Sequence, residues 1–338
     1  MNSTFISEFI SDCPSPFQAS LLQTDLVLPL VITPNQDPII IDFEFLLNWL
    51  KNNRNWLEKA LLKHGGILFR GFPIADAETF EKFVNTLGDK MLSYKQGNSP
   101  RSKVHNQVYV STEFPAHHLI GLHNELAYTN HPPRKIFFFC EYPSPEGGET
   151  PIVDSRRIYQ ILDPVIRDRL LEKKVCYVQN MPSDRSFGVL GKSWQAQFET
   201  TDREVVESYL QEENIQFCWK EDGTLQTRLV GSAAIAHPET GEMAWHAQAH
   251  TLHYSSFGPA LESMRRLVGE ENLPVNTYYG DGTPLDPADV KTMSELHLNE
   301  ATQFAWQKGD VLMLDNLLTA HGRQPFKGER RILVGMTN

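Results

Sequence analysis

The stretch Leu119-Ile120-Gly121-Leu122-His123-Asn124-Glu125, followed ten residues later by Lys135-Ile136-Phe137-Phe138-Phe139-Cys140, decides how this chain is read. An apolar run ends in a histidine and an acid two positions apart, and a strongly apolar strand then begins. Side chains alternate along an extended segment, so residues 123 and 125 point to one face and could aim into the mouth of a barrel.

The elements around this stretch form a consistent pattern. Upstream, Phe43 to His64 carries apolar residues at helical spacing, and Gly65 supplies a stop. Ile67 to Phe72 reads as a short buried strand, and Ala75 to Leu87 as a second amphipathic helix. Val104 to Thr112 has β-branched strand character. Downstream, Ile158 to Lys173 is helical with a cap and first-turn proline at Asp163-Pro164, and Glu204 to Gln211 and Pro259 to Val268 are further helices. Arg228 to Ala236 and Glu242 to Trp245 flank a hairpin turn at Pro238-Glu239-Thr240-Gly241. Lys308-Gly309-Asp310 turns into the strand Val311 to Leu314, and Arg330 to Met336 forms the last strand. The expectation is a mainly β protein with peripheral helices around a double-stranded β-helix, a jelly-roll core of cupin type. Residues 1–40, rich in Pro, Ser and Asn, read as an irregular arm. Residues 41–338 read as a single domain with a helical insert at about 155–270.

Composition narrows the function. The formal charge of -11 over 338 residues argues against nucleic acid as a partner and against an anionic membrane surface. No apolar run approaches the ~18 residues a membrane span needs. The N-terminus shows no signal-peptide pattern. Cys13, Cys140, Cys176 and Cys218 match no CxxC spacing, which suits reduced thiols and a cytoplasmic location.

A histidine-x-acid tripeptide is weak evidence by itself, since chance gives roughly one or two in a chain of this composition. Here there are two, His123-Asn124-Glu125 and His237-Pro238-Glu239. The second runs into Thr240-Gly241 and reads as a solvated hairpin loop. His321, beyond Asp315-Asn316, can join His123 and Glu125, and two histidines with one carboxylate can hold a ferrous ion on one face. Ten residues on, Arg331 begins an apolar strand, where a cation needs an anion; a guanidinium fork suits a dicarboxylate. Its neighbour Arg330 reads as a surface salt bridge. Thr150, after Gly147-Gly148, reads by itself as a turn residue. His246, His250 and His253 would share one helical face, as metal ligands can, although packing is the better reading of them.

In order and spacing these residues resemble the taurine dioxygenase (TauD/TfdA) family of iron(II)/2-oxoglutarate oxygenases. The resemblance runs from His64-Gly65-Gly66-Ile67-Leu68-Phe69-Arg70-Gly71 to the C-terminus, about four-fifths of the chain. Leu122 to Leu126, Gly147-Gly148-Glu149-Thr150-Pro151 and Asp154-Ser155-Arg156 look like the branch of the syringomycin-pathway hydroxylase SyrP. The resemblance implies metal ligands at His123, Glu125 and His321, 2-oxoglutarate contacts at Thr150 and Arg331, and iron(II), 2-oxoglutarate and dioxygen as cofactor and cosubstrates. It implies hydroxylation of an amino acid or amino-acid-derived small molecule, free or tethered to a peptidyl carrier protein. Desaturation, epoxidation or cyclisation would use the same triad, and a metal-binding cupin without turnover is the reading from another class. Relatives that halogenate have Ala or Gly in place of the acid, so Glu125 points to hydroxylation. The cation used for taurine's sulfonate would fall at Gly335, which argues against taurine. Candidate substrate residues are Arg101, Asn106, Trp245, His246 and Gln248.

Overall fold

The computed structural model describes residues 10–23, 27–35, 41–88, 90–93, 101–184 and 192–338. Its centre is an eight-stranded sheet ordered Phe17–Leu21, Leu30–Pro34, Gly66–Phe69, Val311–Asp315, Lys135–Tyr142, Arg331–Thr337, Val108–Val110 and Lys103–His105. Against it lies a three-stranded sheet of Ile120–His123, Thr319–Arg323 and Ile152–Asp154, with the short pair Glu146–Gly147 and Phe326–Lys327. This is the expected mainly β, jelly-roll architecture.

Three neighbouring strands of the large sheet are buried on both faces, which is why they read as continuous apolar runs. Ile136, Phe138 and Cys140, Leu312 and Leu314, and Ile332, Val334 and Met336 turn toward the small sheet and pack with Ile152, Phe304 and Trp306. Phe137, Phe139, Val311, Met313 and Leu333 turn the other way, onto Leu46, Leu50, Leu57, Leu61, Phe80 and Phe83 of the covering helices. The two cores follow from the period-two alternation of side chains.

The covering helices are Phe43–Asn52, Arg54–His64 and Ala77–Leu87. The single helix expected from Phe43 to His64 is two, because Asn53 leaves helical geometry (φ -109°, ψ 16°) and its side chain donates to the Trp49 carbonyl at 2.8 Å. Gly65 ends the second helix as expected, in the left-handed region at φ 76°. A Cβ there would also lie 2.5 Å from Thr319 Oγ1, so the position needs glycine twice over.

Two expectations need correction. The arm at 1–40 is not wholly irregular: Phe17–Leu21 and Leu30–Pro34 are strands of the large sheet, with Phe17, Ala19, Leu30 and Ile32 buried. Its proline-rich composition masked that alternation. The insert at 155–270 is not simply helical. Val175–Met181, Gln216–Trp219 and Leu225–Gly231 join Val275–Tyr279 in a four-stranded antiparallel sheet. That sheet and its helices share a small core of Met181, Trp194, Val206, Leu210 and Leu225. The expected hairpin forms between Ala234–Ala236 and Met243–Trp245.

Candidate metal centre

His123 ends the strand Ile120–His123, and His321 lies directly opposite it in the antiparallel register. Their rings are 4.6 Å apart between centroids. Glu125 follows two residues later, and its Oε2 lies 3.6 Å from His321 Nε2. The three side chains can each turn one ligand atom within 4.8 Å of the other two. His123 Nδ1–H donates to the Gly121 carbonyl at 2.8 Å, which leaves Nε2 to offer a lone pair.

The electrostatics suit a cation. Burial, reinforced by neighbouring His321, lowers the His123 imidazole to about 4, so it is neutral at physiological pH. Burial by itself would raise Glu125, but Arg101 and the two histidines overcome this and hold it well below the usual carboxylate range. Two imidazoles and an ionised carboxylate, with Glu125 and His321 buried and His123 half-buried, stand within reach of one point and fit a divalent iron ion.

Backbone clamps hold the loop in place. Asn316 is fully buried. Its Oδ1 accepts from the Glu125 amide at 2.7 Å, and its Nδ2 donates to the carbonyls of Glu125 and Pro133 at 2.9 and 2.8 Å. Asn124 Nδ2 donates back to the Asn316 carbonyl at 2.7 Å. Gln248 Nε2 donates to the Asn124 carbonyl, while the Gln248 amide donates to the Tyr177 hydroxyl. Gln248, expected at the substrate, therefore supports the metal loop. Asn316 escaped the sequence reading; the one visible signal was the polar pair Asp315-Asn316 closing a run of apolar strand residues.

The arginines fall differently from expectation. Arg331 Nε lies 2.8 Å from Glu141 Oε2, and the Arg331 side chain is 43% exposed. Arg330, expected at the surface, is turned inward. Its Nε donates to the Gly148 carbonyl at 2.8 Å, and its Nη2 lies 3.5 Å from Thr150 Oγ1. Burial, with Arg323 close by, lowers the Arg330 guanidinium to about 10, still protonated near neutrality. Thr150 is buried and also accepts from Trp306 Nε1 at 3.1 Å. It stands two residues before Ile152, the register partner of His321. The reason for the exchange is strand parity: Arg330 shares a face with Ile332, Val334 and Met336, which line the barrel interior. The same shift moves the fourth position onward from Gly335 to Val334, and neither is cationic.

Arg101 reaches Glu125 itself, with Nη2 2.7 Å from Oε2 and side-chain exposures of 5% and 4%. Asn106 is not near the centre: it sits at an exposed hairpin turn at φ 36° and donates to Glu81 at 2.9 Å. A short amide tolerates that left-handed geometry, which explains its presence. Trp245 is core, buried with Leu122, Tyr177 and Met293. His246 is buried, and burial lowers it to about 4.

His246, His250 and His253 do not converge. His250 Nε2 donates to the Leu122 carbonyl at 3.0 Å while its ring stacks on His297, and His253 Nδ1 meets Ser255. His237 is not solvated. It is buried, 3.1 Å from Asp315 Oδ2, while its Nδ1 caps the turn amides of Glu239 and Thr240. Among the described residues, only His123, Glu125 and His321 form a cluster able to hold a metal.

Comparison with known proteins agrees with this geometry. The family described as taurine catabolism dioxygenase TauD, TfdA matches residues 29–337. The dapdiamide synthesis protein DdaC of Enterobacter agglomerans is 33% identical over 281 residues, covering 83% of this chain and 84% of that protein. A clavaminate synthase-like protein of Arabidopsis thaliana is 31% identical over 316 residues, covering 91% and 93%. Among solved structures, AAD-2 in complex with Mn(II) and N-oxalylglycine superposes with a TM-score of 0.52 at 16% identity, covering 95% of this chain and 96% of that one. PvcB, an Fe, alpha-ketoglutarate dependent oxygenase, does so at 0.51 and 16%, covering 96% and 92%. These two likenesses establish the shared fold.

Proposed function

The chain belongs to the TauD, TfdA family of dioxygenases, and from that footing we propose that it hydroxylates an unactivated C–H bond of an amino acid or amino-acid-derived small molecule in a biosynthetic pathway. Iron(II) is its metal, and 2-oxoglutarate and dioxygen are its cosubstrates. The observation that carries the reading is the convergence of His123, Glu125 and His321, supported by Thr150, two residues before the register partner of His321, and by Arg330 beside the Thr150 hydroxyl.

His123, Glu125 and His321 would hold the iron. Bound there, iron with 2-oxoglutarate and dioxygen supplies the oxidising power that no side chain has. The chain's own residues orient and exclude. Arg330, charged and buried, offers a fork for the distal carboxylate of 2-oxoglutarate, and the Thr150 hydroxyl beside it offers a further donor. Phe138, whose ring lies 4.9 Å from His321, sets an apolar wall beside the centre that would help to exclude water. Glu125 occupies the position that a halide would need, which favours hydroxylation over halogenation.

The similarity to a protein of dapdiamide synthesis supports a biosynthetic role and an amino-acid-like substrate. All four cysteines are free thiols, which suits a reducing cytoplasm. The test is anaerobic. Ferrous iron and 2-oxoglutarate added to the protein should give a weak visible charge-transfer band that Glu125→Ala abolishes. Admitting oxygen with substrate should then give succinate and a product one oxygen atom heavier. No band in metal-replete protein would overturn the proposal.

A further inference from the structure

The four-stranded sheet of the insert leaves a narrow cavity between its own small core and the core around Tyr177 and Leu122. One wall is the strand pair Val175–Met181 and Leu225–Gly231, in which Tyr177 lies opposite Leu229 and Gln179 opposite Thr227. The facing wall is Phe198, with Tyr209, Leu210 and Glu213 at the end of the helix Arg203–Glu212. Tyr128 to Asn130, just beyond the metal loop, also border it. Four aromatic rings line this space in two pairs, Tyr128 with Tyr177 at 6.3 Å and Phe198 with Tyr209 at 5.8 Å between centroids. Among the described residues, its one charged lining group is the Glu213 carboxylate, and no lysine or arginine faces it. Glu213 Oε2 accepts from Asn130 Nδ2 at 3.1 Å and lies 3.5 Å from the exposed imidazole of His131. Burial, with the Glu213 carboxylate adding to it, pushes the Tyr209 hydroxyl up to about 12, so ring and charge stand close together. Gln197 and Thr227, 9% and 7% exposed, also line the cavity, and among the described residues their side chains have no partner. Buried polar groups are ordinarily hydrogen-bonded, so this amide and hydroxyl point to a guest. Water would satisfy them but would not account for the rings around a carboxylate. Those are the surroundings an organic cation favours, because ring faces attract positive charge and the carboxylate balances it.

We propose that this cavity binds a small alkylammonium ligand, with its charge at Glu213 and Tyr209 and its chain against Leu210, Ile215 and Leu229. None of the three metal ligands lines the cavity, so the site stands apart from the iron centre and does not depend on how that centre is read. It is nevertheless joined to the metal loop. The Tyr177 hydroxyl accepts from the Gln248 amide, and the Gln248 side chain donates to the Asn124 carbonyl, between His123 and Glu125 in the chain. A ligand held against Tyr177 therefore rests on the same fastening that holds the metal loop in place.

The experiment uses full-length protein, isotope-labelled at its methionine methyls and kept in chelator so that iron plays no part. Met181 lines the cavity, and its methyl resonance, assigned through Met181→Leu, is the local readout. The probes are n-butylammonium, n-butanol and butyrate, each titrated at constant ionic strength. n-Butylammonium should shift the Met181 methyl saturably, half-saturating at a concentration tenfold or more below n-butanol, and butyrate should leave it unmoved. Glu213→Gln keeps the shape and removes the charge, so it should bring the amine to the level of the alcohol while the other methionine methyls keep their wild-type positions. Tyr209→Leu should weaken the amine several-fold and spare the alcohol. A Met181 methyl that ignores the amine means that the cavity holds water only, which overturns the proposal. Equal responses to amine and alcohol overturn it as well, and so does a preference for the amine that survives in Glu213→Gln.

Discussion

Arg330 and Arg331 are the same chemical residue one step apart on a chain, and their surroundings separate them completely. Arg330 is the proposed partner of the distal carboxylate of 2-oxoglutarate, and replacing it by glutamine should weaken binding by on the order of 2–5 kcal/mol. The same change at Arg331 breaks a partly buried pair with Glu141 and should leave 2-oxoglutarate binding unchanged. A 2-oxoglutarate titration of the anaerobic charge-transfer band measures both variants. Equal losses, or a larger loss in Arg331→Gln, would return the anchor to Arg331. The sequence held only half of what decides between them. Ile332, Val334 and Met336 share parity with Arg330, while Leu333 shares it with Arg331. Both faces are apolar, however, so the pattern of residue types does not say which face lines the barrel; only the placement of the helices does.

At the scale of the element, the metal centre depends on how a loop is fastened to a strand. The loop carries His123 and Glu125, the strand Thr319–Arg323 carries His321, and Asn316 joins them by gripping both backbone groups of Glu125. Asn316→Ala would leave a buried amide and two buried carbonyls without partners. Such groups cost about 1–3 kcal/mol each. The variant should lose several-fold or more in Mn(II) affinity, read by electron paramagnetic resonance, as well as stability in urea. Wild-type Mn(II) affinity in a destabilised variant would reduce Asn316 to a purely structural role. His237 offers the contrast. It holds Asp315, whose Oδ1 accepts from the amides of Leu317 and Leu318, and it touches none of the three ligands. His237→Ala should therefore cost roughly 2–4 kcal/mol of stability through a cavity and a lost buried partner, yet bind Mn(II) as the wild type does. The triad itself was legible because its residue types carry its chemistry. The clamps were not, because an asparagine that binds backbone looks like any other polar residue in a turn.

At the scale of the whole molecule, the helices and most strands were visible in local pattern, but the order that brings residue 17 and residue 337 into one sheet was not. Strand order is set by which apolar faces meet, and those faces are alike in the sequence. Folding also buries histidines far apart in the chain. Burial lowers His123, His246 and His297 to about 4, and drives His250 well below its ordinary value, with its neighbour His297 adding to the effect. In the unfolded chain these imidazoles take up protons near pH 6.5. Between that value and 4 the unfolded state binds more protons than the folded one. Their contribution to stability is therefore complete above about pH 6.5 and is lost as pH falls toward 4. A single group shifted this far contributes up to about 3 kcal/mol at the limit. His297 is the one to test, because it lies outside the triad, stacks on His250 at 4.0 Å and donates to the Met293 carbonyl. Phenylalanine there keeps the stack and removes the proton site. Urea midpoints followed from pH 7 to pH 4.5 in chelator should fall steeply for the wild type. They should fall less steeply in His297→Phe, by up to about one proton in the linkage slope. An unchanged slope would mean that His297 does not carry its share of the acid lability, and that the burden rests on the imidazoles of the metal loop and the Trp245–His253 segment.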